Sequence, residues 1–595
     1  MSSRALYLEA AKDLRPNEGQ WAAYESVGNC VVLAGPGSGK TKTLTVKLAR
    51  LLAEDIEEPR GIACITYNNE CARELEARLA QLGIEADGRV FIGTVHSFSL
   101  TQIVIPYANV AGMGLPEDFR VATRAERTRA LENAFDEVID RPGKPSDFEF
   151  PMGNYRRSIL DRDSEEWLTS DPEMAALVEA YERELRQMGC IDFDDMPLLA
   201  VRALRQHEWL QRAILAKYPV LAVDEYQDLG RALHRMVMGL CFSVGMRLFA
   251  VGDVDQSIYG FNGAYPELLE RLSRRDDVET VRLRLNYRCG TRIVTASGYA
   301  LGEDRGYVAA DGAEQGTIYF HEGIGYYENQ ARELFEEILP DILERMPELE
   351  LGDFAILYAG YWLGDILAEA AQAHGLATIR SDRNSLYPRA SRLMRWLELC
   401  AVWCCGGWKS GEPRFRQIVS EGRRLFGEVL TDQEKQLAFE RTLMSTLWDL
   451  RDGTMLLHDW LIQIDEAVLS PVVSDCRAIQ DEAETLEGFI ERCATGDCAE
   501  MSLGQFSGQG SGRDCLNLST LHSAKGREFA VVIMFGIDEG SIPRRKASAG
   551  QIIESRRLFY VGFTRAKSEL HLMYSRGKGS RFVSEVLQRL EEEEA

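Results

Sequence analysis

A glycine-rich segment near the start of the chain constrains the fold more than any other feature of the sequence. It reads Ala34-Gly35-Pro36-Gly37-Ser38-Gly39-Lys40-Thr41, between an apolar run at residues 30–33 and a helix-patterned run at residues 43–52. A strand, a glycine-rich loop and a helix in this order surround a phosphate with backbone N–H groups and the positive end of a helix dipole. Ala34 replaces the first glycine of the general pattern, which leaves a chance match as the alternative. The strand and helix on either side favour nucleotide binding.

The residue types in and near this loop suit contacts with a nucleotide and a metal. Lys40 can reach the β- and γ-phosphates, and the Thr41 hydroxyl can hold Mg²⁺. Upstream, the Gln20 amide can donate to and accept from an adenine edge, although a loop glutamine is usually only solvated. We expect the loop side of the nucleotide site to comprise Gln20, Gly35, Pro36, Gly37, Ser38, Gly39, Lys40, Thr41 and Lys42.

Paired carboxylates follow an apolar strand at residues 220–223. Ligands bind at the carboxyl ends of parallel strands, so Asp224 is placed to hold Mg²⁺ through water and Glu225 to orient and deprotonate an attacking water. An isolated Asp-Glu pair would be an ordinary polar turn, but the phosphate loop in the same chain favours catalysis. After the next apolar strand, Gln256 lies where a polar group can sense a γ-phosphate.

Short apolar strands alternate with helical segments in two parts of the chain, a pattern that predicts an α/β fold with parallel sheets. Residues from about 100 to 190 and from about 382 to 510 are helical in pattern, so we expect a mainly helical insertion in each α/β part. The second α/β region is predicted to start at Val281.

Composition sets limits on location and partners. No apolar run is long enough to span a bilayer and the N-terminus has no apolar signal core, so we expect a cytoplasmic protein without a membrane partner. The net charge of −25 argues only weakly against nucleic acid, because a groove can be locally basic. A metal or iron–sulfur site is conceivable where six of the 13 cysteines fall in one region, but they lack paired C-x₂-C spacing: Cys400, Cys404, Cys405, Cys476, Cys493 and Cys498.

The motifs, taken together, resemble those of the UvrD/Rep/PcrA family of superfamily 1 DNA helicases. The resemblance covers nearly the whole chain, and its segments occur in the family's order. After Gln20 and the phosphate loop, the segments similar to family motifs are residues 65–72, 93–98, 224–228, 251–264, 285–288, 520–529 and 556–566.

The resemblance implies two RecA-like domains with ATP bound between them. The first would comprise residues 1–100 and 190–277, and the second residues 278–381 and 510–590. The helical insertions would be the accessory domains 1B, residues 101–189, and 2B, residues 382–509.

The resemblance also implies roles for residues far from the phosphate loop. Tyr287 would stack on adenine, Glu528 would lie near the nucleotide, and Arg288 and Arg565 would reach the γ-phosphate from the second domain. A guanidinium supplied across a cleft stabilises the transition state only when the cleft is closed, so ATP binding would close it and hydrolysis would open it. Taken alone, either arginine would more often form a surface salt bridge.

Single-stranded DNA would cross both domains in such a protein, with aromatic side chains stacking on bases. Each candidate taken alone is more often a core residue, and only its motif position favours a contact with DNA. The candidates are Tyr67, Thr94, His96, Tyr259, Phe261 and His522.

Several departures from the family pattern bear on what hydrolysis accomplishes. Phe261 and Asn262 stand where the family has Trp-Arg, so coupling between ATP and DNA is expected to differ. Residues 359–364 replace the family's Arg-Thr-Asn-Ala-Gln-Ser, and the 2B region is short and lacks a Gly-Ile-Gly element. We also expect no fused nuclease domain.

Three functions remain open from the sequence. The first is an ATP-dependent helicase or translocase that moves 3′ to 5′ on single-stranded or tailed DNA. The second is a DNA-stimulated ATPase subunit that acts as a sensor or effector beside a separate nuclease or other protein, in DNA repair or antiviral defence. The third is a non-catalytic scaffold, against which the intact catalytic candidates argue.

Overall fold

The computed structural model describes residues 3–66, 69–84, 89–159, 162, 164–260, 263–382, 385–388, 391–411, 413–476, 479–496, 498–511 and 514–594. The chain divides into two compact units. The first comprises Met1–Val95, Leu204–Asn384 and Arg513–Ala595, and the second comprises His96–Ala203 and Ser385–Gly512.

The strands fall mainly in the first unit. In chain order, those of the described ranges are β1 (Cys30–Ala34), β2 (Ile62–Thr66), β3 (Val90–Thr94), β4 (Arg120–Val121), β5 (Cys190–Ile191), β6 (Val220–Val223), β7 (Arg247–Gly252), β8 (Glu279–Leu283), β9 (Leu285–Asn286), β10 (Val308–Ala309), β11 (Thr317–Gly323), β12 (Phe354–Tyr358), β13 (Thr378–Ser381), β14 (Leu516–Thr520), β15 (Phe529–Phe535) and β16 (Ala566–Ser575).

The α-helices of the same ranges are α1 (Ser3–Lys12), α2 (Glu18–Glu25), α3 (Lys40–Arg50), α4 (Asn69–Gln81), α5 (Val95–Phe98), α6 (Ile105–Tyr107), α7 (Arg124–Val138), α8 (Ser146–Ser158), α9 (Glu165–Ser170), α10 (Pro172–Gln187), α11 (Asp195–Gln206), α12 (Glu208–Lys217), α13 (Arg231–Met238), α14 (Glu267–Ser273), α15 (Thr291–Leu301), α16 (Tyr327–Glu333), α17 (Leu339–Arg345), α18 (Tyr361–Ala373), α19 (Arg392–Val402), α20 (Trp408–Ser410), α21 (Phe415–Leu425), α22 (Gln433–Asp449), α23 (Leu457–Ile464), α24 (Ser470–Val473), α25 (Gln480–Thr495), α26 (Leu503–Ser511), α27 (Ala549–Phe563) and α28 (Arg581–Glu594). Short 3₁₀ turns at Tyr226–Asp228 and Val254–Gln256 follow β6 and β7.

The first unit is built on two parallel sheets. The order of the first is β3-β2-β6-β7-β1-β8, and that of the second is β11-β16-β15-β12-β14-β13. Strands such as β2, β6 and β12 are buried along their whole length, as their continuous apolar sequences require when helices cover both faces. The predicted α/β class with two RecA-like parallel sheets is therefore confirmed.

One strand lies in a different sheet from the one that we predicted. The second α/β region was expected to start at Val281, and the second RecA-like domain at residue 278. Instead β8 (Glu279–Leu283) pairs in parallel with β1, with Val281 opposite Val32. Alternating strands and helices along a sequence do not show which sheet a strand joins, because parallel pairing is non-local. The other domain boundaries stay predictions.

The second unit is mainly helical in the ranges that the structure describes. Residues 96–203 pack around a core that includes Phe135, Trp167 and Tyr181, and residues 385–512 pack around one that includes Trp396 and Trp460. The predicted helical character of both insertions is thus observed.

The cysteines of the second insertion show no metal-binding arrangement. Cys400, Cys404, Cys476, Cys493 and Cys498 are buried, whereas Cys405 is exposed. Within the described part of the chain, no group of three or more His, Cys, Asp or Glu side chains could hold a metal ion. None of the helices described is both long and apolar enough to cross a membrane.

Candidate active site

The phosphate loop lies between β1 and α3, as the sequence predicted. Gly37 and Gly39 have φ of +65° and +79°, values that a residue with a side chain rarely adopts. Ser38 Oγ donates to the Gly35 carbonyl at 2.7 Å, and Gln20 Nε2 donates to the Ser38 carbonyl at 2.8 Å. Gln20 therefore stabilises the phosphate loop through its hydrogen bond to Ser38. A contact between Gln20 and adenine would be made in addition to that hydrogen bond.

Lys40 extends back over the loop. Its Nζ donates to the carbonyls of Ala34 and Gly35 at 3.3 and 3.2 Å, and it lies 4.0 Å from Asp253 Oδ2. An ammonium held near the loop carbonyls is available to an anion that enters the loop. Thr41 lies at the start of α3, whereas the side chain of Lys42 points to the exposed Asp13, 3.1 Å from its Oδ2.

The paired carboxylates follow β6 at the carboxyl edge of the first sheet. Burial, together with the neighbouring charge of Glu225, raises the pKa of Asp224 to about 7. Burial also acts to raise the pKa of Glu225, but the charges of Lys525 and Lys40 outweigh it and hold this pKa below its ordinary value. Glu225 has φ of +51°, a strained conformation for a residue with a side chain, which is typical of functional sites.

Gln256 links the two sheets at the site. Its Nε2 donates to Asp253 Oδ2 at 2.7 Å, and its Oε1 accepts from Arg565 Nη2 at 3.2 Å. Arg565 is only 1% exposed and also donates to the carbonyls of Val561 and Arg527. Burial and then the charge of Arg288 lower the pKa of Arg565 to about 10. The guanidinium still carries its charge at neutral pH.

Tyr287 and Arg288 approach the phosphate loop from the other side. The backbone N–H of Tyr287 donates to the Gly37 carbonyl at 2.8 Å, and the Asn17 side chain donates to the Tyr287 hydroxyl at 3.1 Å. Tyr287 is 50% exposed, so its side chain is accessible to a ligand. Arg288 Nε donates to Glu528 Oε2 at 2.6 Å, which explains why Glu528 lies at the site.

Lys525 and Asp228 belong to the site although no role was predicted for them. Lys525 Nζ donates to Asp228 Oδ2 at 2.5 Å and to the Gln256 carbonyl at 2.7 Å, and it lies 3.9 Å from Glu225 Oε2. Both residues fall inside motif segments, residues 224–228 and 520–529. Residue type alone does not show that two side chains 297 positions apart meet, so only a search for complementary charges among the motifs could have found them.

The site offers oxygen ligands suited to Mg²⁺, namely the Thr41 hydroxyl and the Asp224 carboxylate. Mg²⁺ is usually bound through one or two carboxylates together with substrate phosphates and water, and not by a cage of protein ligands. Asp224 is nearly buried and has a raised pKa, so a bound cation would favour its ionised form.

Four of the six predicted DNA contacts lie among the described residues. Tyr67 and Phe261 lie outside the described residues. Thr94 ends β3. The Tyr259 hydroxyl donates to the His522 carbonyl at 3.4 Å, so these two lie together near Lys525, whose Nζ is 5.3 Å from the Tyr259 ring centroid.

The two candidate histidines are kept neutral by their surroundings. Burial and then the charge of Arg544 lower the pKa of His522 to about 4. His96 belongs to the second unit, where its ring packs edge-on against Phe193 and burial lowers its pKa. Neither imidazole therefore brings positive charge to a phosphate at neutral pH.

Comparisons with known proteins agree with this arrangement. Residues 16–276 match the model of the UvrD/REP helicase N-terminal domain, and residues 469–577 match that of the UvrD-like helicase C-terminal domain. The "ATP-dependent DNA helicase Rep" of Escherichia coli is 26% identical over 94% of this chain and 90% of its own length. The "DNA helicase II" of the same organism is 26% identical, with 95% and 86% covered. The "ATP-dependent DNA helicase PcrA" of Bacillus subtilis is 24% identical, with 95% and 85% covered.

Proposed function

This chain belongs to the UvrD/Rep family of ATP-dependent DNA helicases, and from that premise we propose that it moves 3′ to 5′ along single-stranded DNA. The observation that supports ATP-driven movement is a series of contacts that joins the phosphate loop to the second sheet. Lys40 lies 4.0 Å from Asp253 Oδ2, Gln256 donates to the same carboxylate oxygen, and Arg565 donates to Gln256. Hydrolysis at such a site can move one sheet relative to the other.

The roles that we assign to the residues follow from their positions. Lys40 stabilises charge on the β- and γ-phosphates, and Glu225 orients and deprotonates the attacking water. Thr41 and Asp224 would hold Mg²⁺, which would offset phosphate charge when bound. Gln256 senses the γ-phosphate, because its amide already joins Asp253 to Arg565.

Arg565 and Arg288 are the two cations that we place on the γ-phosphate. Arg565 is oriented by backbone carbonyls and a glutamine, without a carboxylate partner among the described residues, so its charge is available. Arg288 is paired with Glu528 and must leave that carboxylate to reach a phosphate. Glu528 is also 3.0 Å from Lys567 and therefore keeps a cation when Arg288 leaves.

The partner that we propose is a single-stranded or tailed DNA. Tyr259 and His522 lie together after β7 and β14, and parallel α/β sheets bind ligands at the carboxyl ends of their strands. Aromatic rings at such positions can stack on bases without reading their sequence.

The second candidate is a DNA-stimulated ATPase subunit that acts beside a separate nuclease or other protein in DNA repair or antiviral defence. One observation favours it. After β12, where the family carries a polar segment, this chain begins α18 with Tyr361 and Trp362, which are 40% and 45% exposed. Large exposed aromatic side chains are typical of surfaces that bind other molecules.

A strand-displacement assay separates the two candidates. The purified chain is mixed with ATP, Mg²⁺ and a duplex that carries either a 3′ or a 5′ single-stranded tail. We expect unwinding of the 3′-tailed duplex only, and loss of all turnover in Lys40→Ala, because that variant loses the phosphate-binding ammonium. ATP turnover without displacement of either duplex would favour the subunit, and unwinding from the 5′ tail would contradict the direction.

A further inference from the structure

A short segment of the first unit touches both the phosphate loop and the Val254–Gln256 turn, and no motif segment includes it. It follows α15 and contains Arg305 and Tyr307. Its next residues form β10, which pairs with β9. The backbone N–H groups of Val308 and Ala310 donate to the carbonyls of Arg284 and Asn286 at 3.0 and 2.8 Å. The segment is therefore anchored to the strand that precedes Tyr287 and Arg288.

Arg305 forms a two-pronged ion pair with Asp255. Its Nε and Nη2 donate to the two carboxylate oxygens of Asp255, each at 2.8 Å. Asp255 is only 4% exposed and lies on the Val254–Gln256 turn, directly before Gln256. A buried carboxylate is strongly destabilising without a partner, and the planar guanidinium matches both of its oxygens. The ion pair therefore fixes the orientation of the turn that carries Gln256.

Tyr307 packs the same segment against Gly35 of the phosphate loop. A Cβ atom added to Gly35 would lie 2.4 Å from Tyr307 Cε1, so the ring occupies the space that a side chain at Gly35 would need. The Gly35 carbonyl is one of the two that hold Lys40 Nζ. Burial, with the charges of Asp253 and Asp255, raises the pKa of Tyr307 well above its ordinary value, so the phenol stays neutral beside them.

We propose that Arg305 is a positioning residue for ATP hydrolysis, which holds the Asp255 turn so that Gln256 stays aligned between Asp253 and Arg565. Arg305 touches neither nucleotide nor water in this role and acts through Asp255. The inference rests on the proposed function, since alignment of Gln256 matters only if this site hydrolyses ATP.

The proposal predicts how turnover should divide between kcat and KM. In Arg305→Ala the buried Asp255 carboxylate loses its partner and repels Asp253, so the turn shifts away from Arg565 while the phosphate loop is intact. We expect kcat for ATP to fall about tenfold and KM for ATP to change less than about threefold. Arg274→Ala is the matched control, because the Arg274 side chain forms an exposed pair with Glu270 at 3.4 Å, and its loss should leave both constants unchanged.

A double-mutant cycle separates positioning from a general loss of structure. Asp255→Asn removes the carboxylate charge that Arg305→Ala leaves unpaired, so Arg305→Ala/Asp255→Asn should turn over ATP faster than Arg305→Ala alone. A purely structural defect would add the losses of the two single changes. Wild-type kcat in Arg305→Ala, a tenfold rise in KM at unchanged kcat, or additive losses in the double variant would each overturn the proposal.

Thermal unfolding of the same four proteins gives a reading that does not depend on activity. The contact predicts that the double variant is no less stable than Arg305→Ala, and additive falls in Tm would overturn it. Absence of ATP turnover by the wild-type chain with saturating single-stranded DNA would contradict the proposed function. The Tm values of the four proteins would still show whether Arg305 holds Asp255.

Discussion

Residues of opposite charge lie close together in the site, and burial and neighbouring charges shift their pKa values. Asp224 and Glu225 are adjacent carboxylates, and only Glu225 lies within 4 Å of the Lys525 ammonium. For Asp224, burial and then the adjacent charge of Glu225 outweigh the charge of Lys40 and raise the pKa to about 7. Two predictions concern these buried charges.

Asp224 should destabilise the fold as pH rises. Its pKa is about 7 in the folded chain and near the ordinary value of 3.8 in the unfolded one, so the folded state binds the extra proton between these values. Stability contributed by this group is thus lost as pH rises from about 4 to about 7. Asp224→Asn should be more stable than the wild type at pH 8, by at least about 1 kcal/mol, with the difference shrinking towards pH 4. Urea unfolding in Mg²⁺-free buffer measures it, and a pH-independent difference would contradict the account.

Lys525 should be needed for the stability of the fold. Lys525→Ala leaves Asp228 buried without its cation, which costs about 3 kcal/mol in the free energy of unfolding. Lys525→Ala/Asp228→Asn removes both charges and should regain part of that loss. Denaturant unfolding of Lys525→Ala, Asp228→Asn and the double variant tests this. A double variant less stable than either single one would show that the pair is not the source of the effect.

At the scale of helices and strands, the sequence separation between partners determines which parts of the architecture could be predicted. The phosphate loop was predictable because β1, the loop and α3 are consecutive, so every contact is local. The sheet that β8 joins was not, because its partner β1 lies some 250 residues earlier. The motifs could be identified from the sequence, whereas only the structure shows that Lys525 pairs with Asp228.

A contact between helical elements of the second unit was likewise invisible in the sequence. The Glu484 carboxylate on α25 accepts from the backbone N–H groups of Arg124 and Ala125, at 2.7 and 3.4 Å, at the start of α7. It thereby caps from outside two of the N–H groups that the first turn of a helix leaves unpaired, and its charge suits the positive end of the helix dipole.

Glu484→Ala should loosen the first turn of α7 by about 1 kcal/mol. Hydrogen exchange followed by mass spectrometry should show faster exchange in the peptide that contains Arg124 and Ala125, with little change at the end of α7. Glu487→Ala is the control, because Glu487 is exposed on the same helix α25 and should leave α7 unchanged. Equal exchange in the Glu484 and Glu487 variants would rule out this cap.

At the scale of the whole molecule, side chains that follow strands of two sheets meet at one site. The sequence predicted Arg288 and Arg565 as cations of the second sheet only through a family resemblance, because nothing local marks an arginine that serves a distant loop. The structure brings Arg565 to Gln256 within the first unit. It also adds Arg305 and Tyr307, which no motif predicted.

We propose that ATP is hydrolysed between the two sheets with help from Arg565. ATP turnover by the wild type and by Arg565→Ala, with saturating single-stranded oligothymidine, tests it most directly, with nucleotide affinity measured in parallel. We expect DNA-stimulated turnover in the wild type and a fall of at least about 100-fold in Arg565→Ala, with ATP still bound. Wild-type turnover in Arg565→Ala would contradict it.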